Sequence, residues 1–340
     1  MTNIIKKLYY KSVPYAIRIK IKKIRHREEI NFSDTYFKYQ ETHFKCHMTD
    51  SVYDDTRKTD ILRIFSFLRK NGLNMFPDMD SLIHEKYFTR KLKIEKDSNT
   101  GLFYVLVDNK KLFYKPGMTE NSVKYSFNGV SFEQDFASPH RYLSNDNYFV
   151  GVIESDTNQI SSDDFGINEG DVVVDVGAGE GNFALSIIEK VSKVYIIESD
   201  AEWCEALKQT FLPYKEKVEI IQKYLSDIND DNNITLTSLI EKYNINKIDF
   251  LKMDIEGYEK QALRGGTIND TKFANINKMA ICTYHNPEDE TEISNFVSQY
   301  GYKFHLTDGY IVVSDLNSPP SEKTPFPIRK GVLRAYKQIS

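Results

Sequence analysis

Asp175, Glu198, Asp254 and His285 each fall at or just past the end of an aliphatic run that reads as a buried strand. Carboxylates and an imidazole gathered at strand ends can bind hydroxyls, offset a positive charge and move a proton. Asp175 stands two residues before the first of three glycines, Gly177, Gly179 and Gly181, in the stretch DVVVDVGAGEGN from Asp171 to Asn182. Phe183, Leu185, Ile187 and Ile188 follow at a spacing suited to a helix packed on a sheet. Strand, glycine turn and helix open a nucleotide-binding βαβ unit. Glycines let the backbone turn sharply and approach a ligand, and the N–H groups at the helix start face it.

The spacing is GxGxG, and Asn182 stands where the dinucleotide fingerprint has its third glycine. That variant points away from NAD and toward S-adenosylmethionine. Glu198 closes the predicted strand Lys193 to Ile197, 23 residues after Asp175. An acid there accepts hydrogen bonds from the two hydroxyls of an adenosine ribose, though NAD would want the same acid. After the predicted strand Val218 to Gln222 come Leu225, Ser226 and Asp227, where a side chain can meet an adenine amine.

The strand Ile248 to Met253 runs into KMDIEGYE. Alternation puts Lys252 and Asp254 on one side, near the carboxyl end of the sheet where ligands bind. Glu256 and Glu259 share a face if the next segment is helical. N-capping would explain one of these acids but not Lys252. The strand Met279 to Tyr284 is followed by His285, Asn286 and Pro287. A histidine level with Asp254 on the neighbouring strand is placed as a general base. Lys252, Glu256 and Tyr284 are candidate acceptor contacts, and so are His140 and Arg141 in the upstream stretch FEQDFASPHRYL, since an Arg fork matches carboxylate and phosphate. An ordinary hydrogen-bonded linker is the alternative for that stretch.

The elements that must hold these residues alternate strand and helix through the second half. Ala201 to Phe211, Leu236 to Tyr243 and Glu288 to Tyr300 read as helices. Tyr302 to Thr307 and Tyr310 to Ser314 read as a hairpin across Asp308-Gly309, and Val332 to Tyr336 as a final edge strand. Upstream, Thr59 to Arg69 reads as a helix, while Leu92 to Ile94, Leu102 to Val107 and Lys111 to Tyr114 read as short strands, with Asp108-Asn109 turning between the last two. This predicts an N-terminal α+β region over 1–145 and a nucleoside-binding α/β domain over 146–340.

Composition bounds the rest. The chain has 340 residues, 40% of them hydrophobic, enough for a large core. A net charge of −4 gives no reason to expect a nucleic-acid partner. Cys46, Cys204 and Cys282 lie too far apart for a disulfide framework, which suits a reducing cytoplasm. His43, Cys46 and His47 lack a second ligand pair at zinc spacing, so no metal is expected from them. No apolar run is long enough to span a bilayer, and no signal peptide is evident. Residues 1–27 carry nine Lys or Arg and no acid. Such a segment reads first as a solvated arm or a dimer contact, and is also suited to an anionic membrane surface.

These pieces resemble the FkbM family of S-adenosylmethionine-dependent methyltransferases: DVVVDVGAGEGNF, the strand-end acid in YIIESD, LSD, FLKMDIEGYEKQALRGG, YHNPED and GVLRAYK, over about the last 190 residues. GLFYVLVDNKKLFY and SPHRYL look like a subset of the family with an N-terminal extension. The resemblance implies a class I methyltransferase fold, α/β and Rossmann-like, with a seven-stranded, mostly parallel sheet and helices on both faces. It implies methyl transfer to oxygen, commonly on sugars of surface polysaccharides or on natural products. By motif, Gly177 and Gly179, with Ala178 between them and Asp175 before, hold the methionine end of the donor. Glu198 holds the ribose, Ser226 and Asp227 lie by the adenine, and Asp254 lies beside the sulfonium. Glu180 departs from the pattern, since many relatives have an apolar residue there. The expected base is His285, with Asp254 orienting the acceptor; a route through Mg²⁺ on Asp254 and other carboxylates is open but not predicted. A nicotinamide-dependent oxidoreductase and a non-catalytic nucleoside-binding scaffold are the rival readings.

Overall fold

A computed structural model of the chain describes residues 92–124, 126–127, 165–267, 273–306, 311–312 and 328–337. The basic segment 1–27, the helix expected at Thr59 to Arg69, the histidine–cysteine group at 43–47, His140, Arg141 and the 145/146 boundary all lie outside the described residues.

Seven strands form one sheet in the order β11-β14-β10-β9-β4-β5-β6. They are β4 (Val172–Val176), β5 (Lys193–Ile197), β6 (Val218–Ile221), β9 (Ile248–Met253), β10 (Ile276–Cys282), β11 (Lys303–Leu306) and β14 (Val332–Tyr336). β4 pairs in parallel with β5 and with β9, and β9 in parallel with β10. β14 runs antiparallel to both its neighbours. This is the class I methyltransferase sheet the resemblance implies. Strand order reverses direction at the β4–β9 pair, so the crevice for a ligand opens above the carboxyl ends of those two strands.

Central strands are buried on both faces, which is why they read as near-continuous apolar runs: Val173, Val174 and Val176 on β4 and Phe250, Leu251 and Met253 on β9 are fully buried. Helices α1 (Asn182–Ile187), α2 (Ala201–Thr210), α3 (Leu236–Lys242), α4 (Glu259–Gly266) and α5 (Asp289–Gln299) supply the crossovers. One face of the sheet packs Leu239, Leu263, Ile293 and Val297 from α3, α4 and α5, and the other packs Phe183, Leu185 and Leu207 from α1 and α2.

Two expectations at the carboxyl end are corrected. β11 does not form a hairpin with the next segment: it pairs with β14, while β12 (Ile311–Val312) pairs with β13 (Ile328–Arg329). β14 is not an edge strand either. It lies between β10 and β11, and Arg334 in its middle is fully buried, with its guanidinium 5.8 Å from the centre of the Phe165 ring. Covered edges leave a sheet fewer open pairing groups.

Upstream, β1 (Ile94–Lys96), β2 (Phe103–Val107) and β3 (Lys110–Phe113) form a separate antiparallel sheet. Asp108 and Asn109 turn between β2 and β3 with φ of 48° and 64°, the left-handed pair a two-residue hairpin needs. Val105, Leu112 and Tyr114 share one apolar cluster with α1 and α2, so this small sheet is packed into the larger core. Short strands β7 (Tyr224–Ser226) and β8 (Asn233–Thr235) pair beside the crevice. Among the described residues no helix is long and apolar enough to cross a membrane.

Candidate active site

The glycine turn is shaped by what lies beneath it. Gly177 has φ of 71°, and a β-carbon there would sit 1.9 Å from the carbonyl oxygen of Asp254. Only glycine lets β4 and β9 close this tightly at the switch point. Lys252, buried on β9, holds the turn from below. Its ammonium donates to the carbonyl of Gly177 at 2.6 Å and of Val176 at 3.3 Å, and pairs with Asp175 at 3.1 Å. Burial raises the pKa of Asp175, against the pull of Lys252. Asp175, expected as a donor contact, is thus a fully buried counter-ion under the turn and not part of the wall. Lys252, expected at the acceptor, does line the cavity, with its ammonium engaged by the turn carbonyls and Asp175.

Above the turn lies a cavity of about 890 Å³, inside the range of small-molecule sites. Gly177, Ala178, Gly179, Glu198, Ser226 and Asp254 all line it. Glu198, 8% exposed, accepts from the backbone N–H of Gly179 at 2.9 Å and of Asp200 at 2.9 Å. Those bonds aim the carboxylate while leaving lone pairs for hydroxyls. Asp227 is exposed beside Ser226 and does not reach the wall. Glu180 lines the cavity and contacts the hydroxyl of Ser126 from the N-terminal region.

The acid–histidine cluster sits at the other end. Asp254 faces the cavity, and the Tyr284 hydroxyl donates to its Oδ1 at 3.2 Å. Nε2 of His285 lies 3.4 Å from the same oxygen and 3.6 Å from Glu256 Oε2. The Tyr284 ring packs on the imidazole at 4.2 Å between centroids. His285 therefore stands one layer behind Asp254 and Glu256, which line the wall. On its far side Nδ1 meets Glu259 Oε1 at 3.0 Å. Glu259 is fully buried at the start of α4, and the Ile255 N–H also donates to its Oε1 at 2.9 Å. Burial pulls the His285 pKa down, but the Glu259 hydrogen bond and the charges of Glu259, Asp254 and Glu256 outweigh it and leave the pKa raised.

Glu259 is the residue that sequence reading passed over as a cap. The signal was the i, i+3 spacing from Glu256, but only the fold reveals that Glu259 meets the far nitrogen of His285. Glu256 itself has φ of 56°, in the left-handed region that few non-glycine residues adopt.

Asp254, Glu259 and His285 offer three ligand atoms within 4.8 Å of one another. Glu259 and Asp254 contact opposite ring nitrogens of His285, which already engages both of them. The arrangement is a carboxylate–imidazole–carboxylate chain ending at the cavity.

A seven-stranded sheet with one reversed strand, a glycine turn at the switch point and a strand-end acid on the cavity wall make up the α/β, Rossmann-like fold that the resemblance implies. A family model described as the methyltransferase FkbM domain matches residues 216–304. A second model, ribosomal RNA adenine dimethylase, matches residues 140–246. A curated relative, a probable ribosomal RNA small subunit methyltransferase A from Methanococcoides burtonii, is 44% identical over 55 residues, 16% of this chain and 20% of that protein. Among solved structures, methyltransferase FkbM from Methylobacillus flagellatus is 21% identical, over 50% of this chain and 44% of its own, with a TM-score of 0.39. TrmK from M. capricolum, solved with S-adenosyl-homocysteine, is 12% identical over 51% of this chain and 64% of its own, with a TM-score of 0.34. The chain thus spans about a fifth of the curated relative and under half of the FkbM structure.

S-adenosylmethionine is the donor for this class of domain, and the residues present fit it. Glu198, Ser226, Asp254 and Glu256 all line the cavity; Glu198 could accept from ribose hydroxyls, and Asp254 and Glu256 could offset a sulfonium's charge.

Proposed function

We propose that this protein is an S-adenosylmethionine-dependent O-methyltransferase acting on a sugar hydroxyl of a surface polysaccharide or related glycan. The observation that carries the reading is Asp254 on the cavity wall, backed in sequence by His285 and buried Glu259. Bound there, the donor supplies a methyl group already activated by its positive sulfur. What remains for the protein is to hold an acceptor oxygen in line at near-attack distance and take its proton. Asp254 orients the hydroxyl. His285, one layer behind, takes the proton through Asp254, and Glu259 fixes which ring nitrogen is available. Glu256 and Tyr284 shape the acceptor side, and a base of this kind contributes roughly a hundredfold in rate.

A second reading, methylation of an RNA base, is favoured by the match over residues 140–246. That span covers the donor half of the sheet and stops before β9. Asp254, Glu259 and His285 lie beyond it, within the FkbM match. That position supports the oxygen reading of the acceptor. The basic segment 1–27 is suited to bring the enzyme to an anionic membrane where glycans are assembled.

The test is incubation with methyl-labelled S-adenosylmethionine and a panel of neutral glycans, phosphorylated glycans and structured RNA, followed by mass spectrometry. Label on a glycan hydroxyl supports the proposal. Label on RNA alone overturns the acceptor, and binding of S-adenosylhomocysteine with no transfer to any panel member favours the scaffold reading.

A further inference from the structure

We infer that Lys115, contributed by the N-terminal sheet, is a positioning residue of the donor site, acting through Asp200 and Trp203. The inference rests on the donor reading above and concerns the wall around Glu198, away from the acid–histidine cluster.

Asp200 and Trp203 both line the cavity next to Glu198. Asp200 has two tasks. Its Oδ1 caps α2, accepting from Glu202 N at 2.8 Å and Trp203 N at 3.4 Å, while its Oδ2 accepts from the Lys115 ammonium at 2.8 Å. Its own N–H donates to Glu198. The same ammonium stands 5.3 Å from the centre of the Trp203 ring, and the Tyr114 ring meets that indole edge-on at 6.2 Å. β3 is fastened to α2 by a further bond, from Phe113 N–H to Thr210 Oγ1 at 3.0 Å. One cation from outside the methyltransferase sheet thus fixes an acid, an indole and, through the Asp200 backbone, the ribose-binding carboxylate.

The physical consequence is preorganisation. Asp200, Glu198 and Glu202 are three acids within one turn of chain, and they repel each other unless a cation sits among them. Lys115 is that cation: it also lies 3.8 Å from Glu202 Oε2. With it in place, the α2 start and the indole are set before the donor arrives, so less ordering is left to binding. The N-terminal sheet is then a component of the donor site.

Trp203 is the single tryptophan of the chain, so its emission reports on this wall. The full chain would be titrated with S-adenosylhomocysteine, following tryptophan emission and calorimetry, for the native protein and for Lys115→Gln, Lys115→Arg and Asp200→Asn. The expected result is a donor-dependent emission change in the native protein. Lys115→Gln and Asp200→Asn should weaken affinity about fivefold or more, and Lys115→Arg should restore most of it. Asn still caps α2, so Asp200→Asn keeps the test alive should Lys115→Gln fold poorly. Native affinity, within twofold, in both Lys115→Gln and Asp200→Asn overturns the inference while leaving the donor reading intact. No binding by the native protein overturns both.

Discussion

Glu259 Oε1 lies 3.0 Å from Nδ1 of His285, with the carboxylate fully buried and the imidazole nearly so. That contact decides the behaviour of the cluster. A carboxylate on Nδ1 keeps a proton there and turns Nε2 toward Asp254 and the cavity. It also raises the pKa, which sets when His285 can accept a proton.

The pH dependence follows with a definite sign. His285 has a raised pKa in the folded protein, so its contribution to stability is fully present below the ordinary value of about 6.5 and is lost as pH climbs through the folded value. A base must be neutral, so turnover should rise across the same interval, with its midpoint above 6.5. Glu259→Gln removes the strongest raising influence and should move the midpoint down while cutting kcat. A native pH–rate midpoint below 6.5 would show that these carboxylates do not govern the histidine.

His285→Ala should lower kcat by roughly a hundredfold while donor affinity stays within a fewfold of native, because the donor wall is built from other elements. Single-turnover transfer together with S-adenosylhomocysteine calorimetry separates the two quantities. Unchanged turnover would remove His285 from the chemistry.

Much of this was legible in the sequence. The bounds of β5 and β9 come out as read, because parallel strands buried on both faces announce themselves as unbroken apolar runs. The Asp108-Asn109 turn was equally plain, since its side chains tolerate the left-handed backbone. What stayed hidden depends on partners distant in sequence. Lys252 looked like an acceptor contact because alternation gives a side and not a neighbour; the neighbour is Asp175. Val332 to Tyr336 read as an edge strand, yet it is covered on both sides by long-range pairing, with Arg334 buried. Lys115 gave no signal at all, because its value comes from α2 folding back onto β3.

Gly177→Ala should be among the most damaging single changes in the turn. Its φ of 71° alone costs a non-glycine residue about 1–3 kcal/mol. The added carbon would also collide with the Asp254 carbonyl, which is backbone and cannot swing aside. Donor binding and thermal stability should both fall. An alanine variant with native melting temperature and native S-adenosylhomocysteine affinity would contradict the tight β4–β9 closure.

Lys252 and Asp175 form the pair whose removal distinguishes a structural clamp from an acceptor contact. Lys252→Met strands a carboxylate that burial already disfavours, and breaking such a pair typically costs about 3–5 kcal/mol. It also frees the Gly177 carbonyl, so donor affinity should fall with stability. Asp175→Asn combined with Lys252→Met removes the stranded charge, and replacing both members of a buried pair is often tolerated. The double variant should therefore recover much of the stability lost in Lys252→Met, yet not the donor affinity, because nothing then holds the turn. Chemical denaturation of the four-member cycle reads the first quantity and calorimetry the second. A Lys252→Met protein with native stability and donor affinity but a raised KM for the acceptor would return Lys252 to the acceptor side.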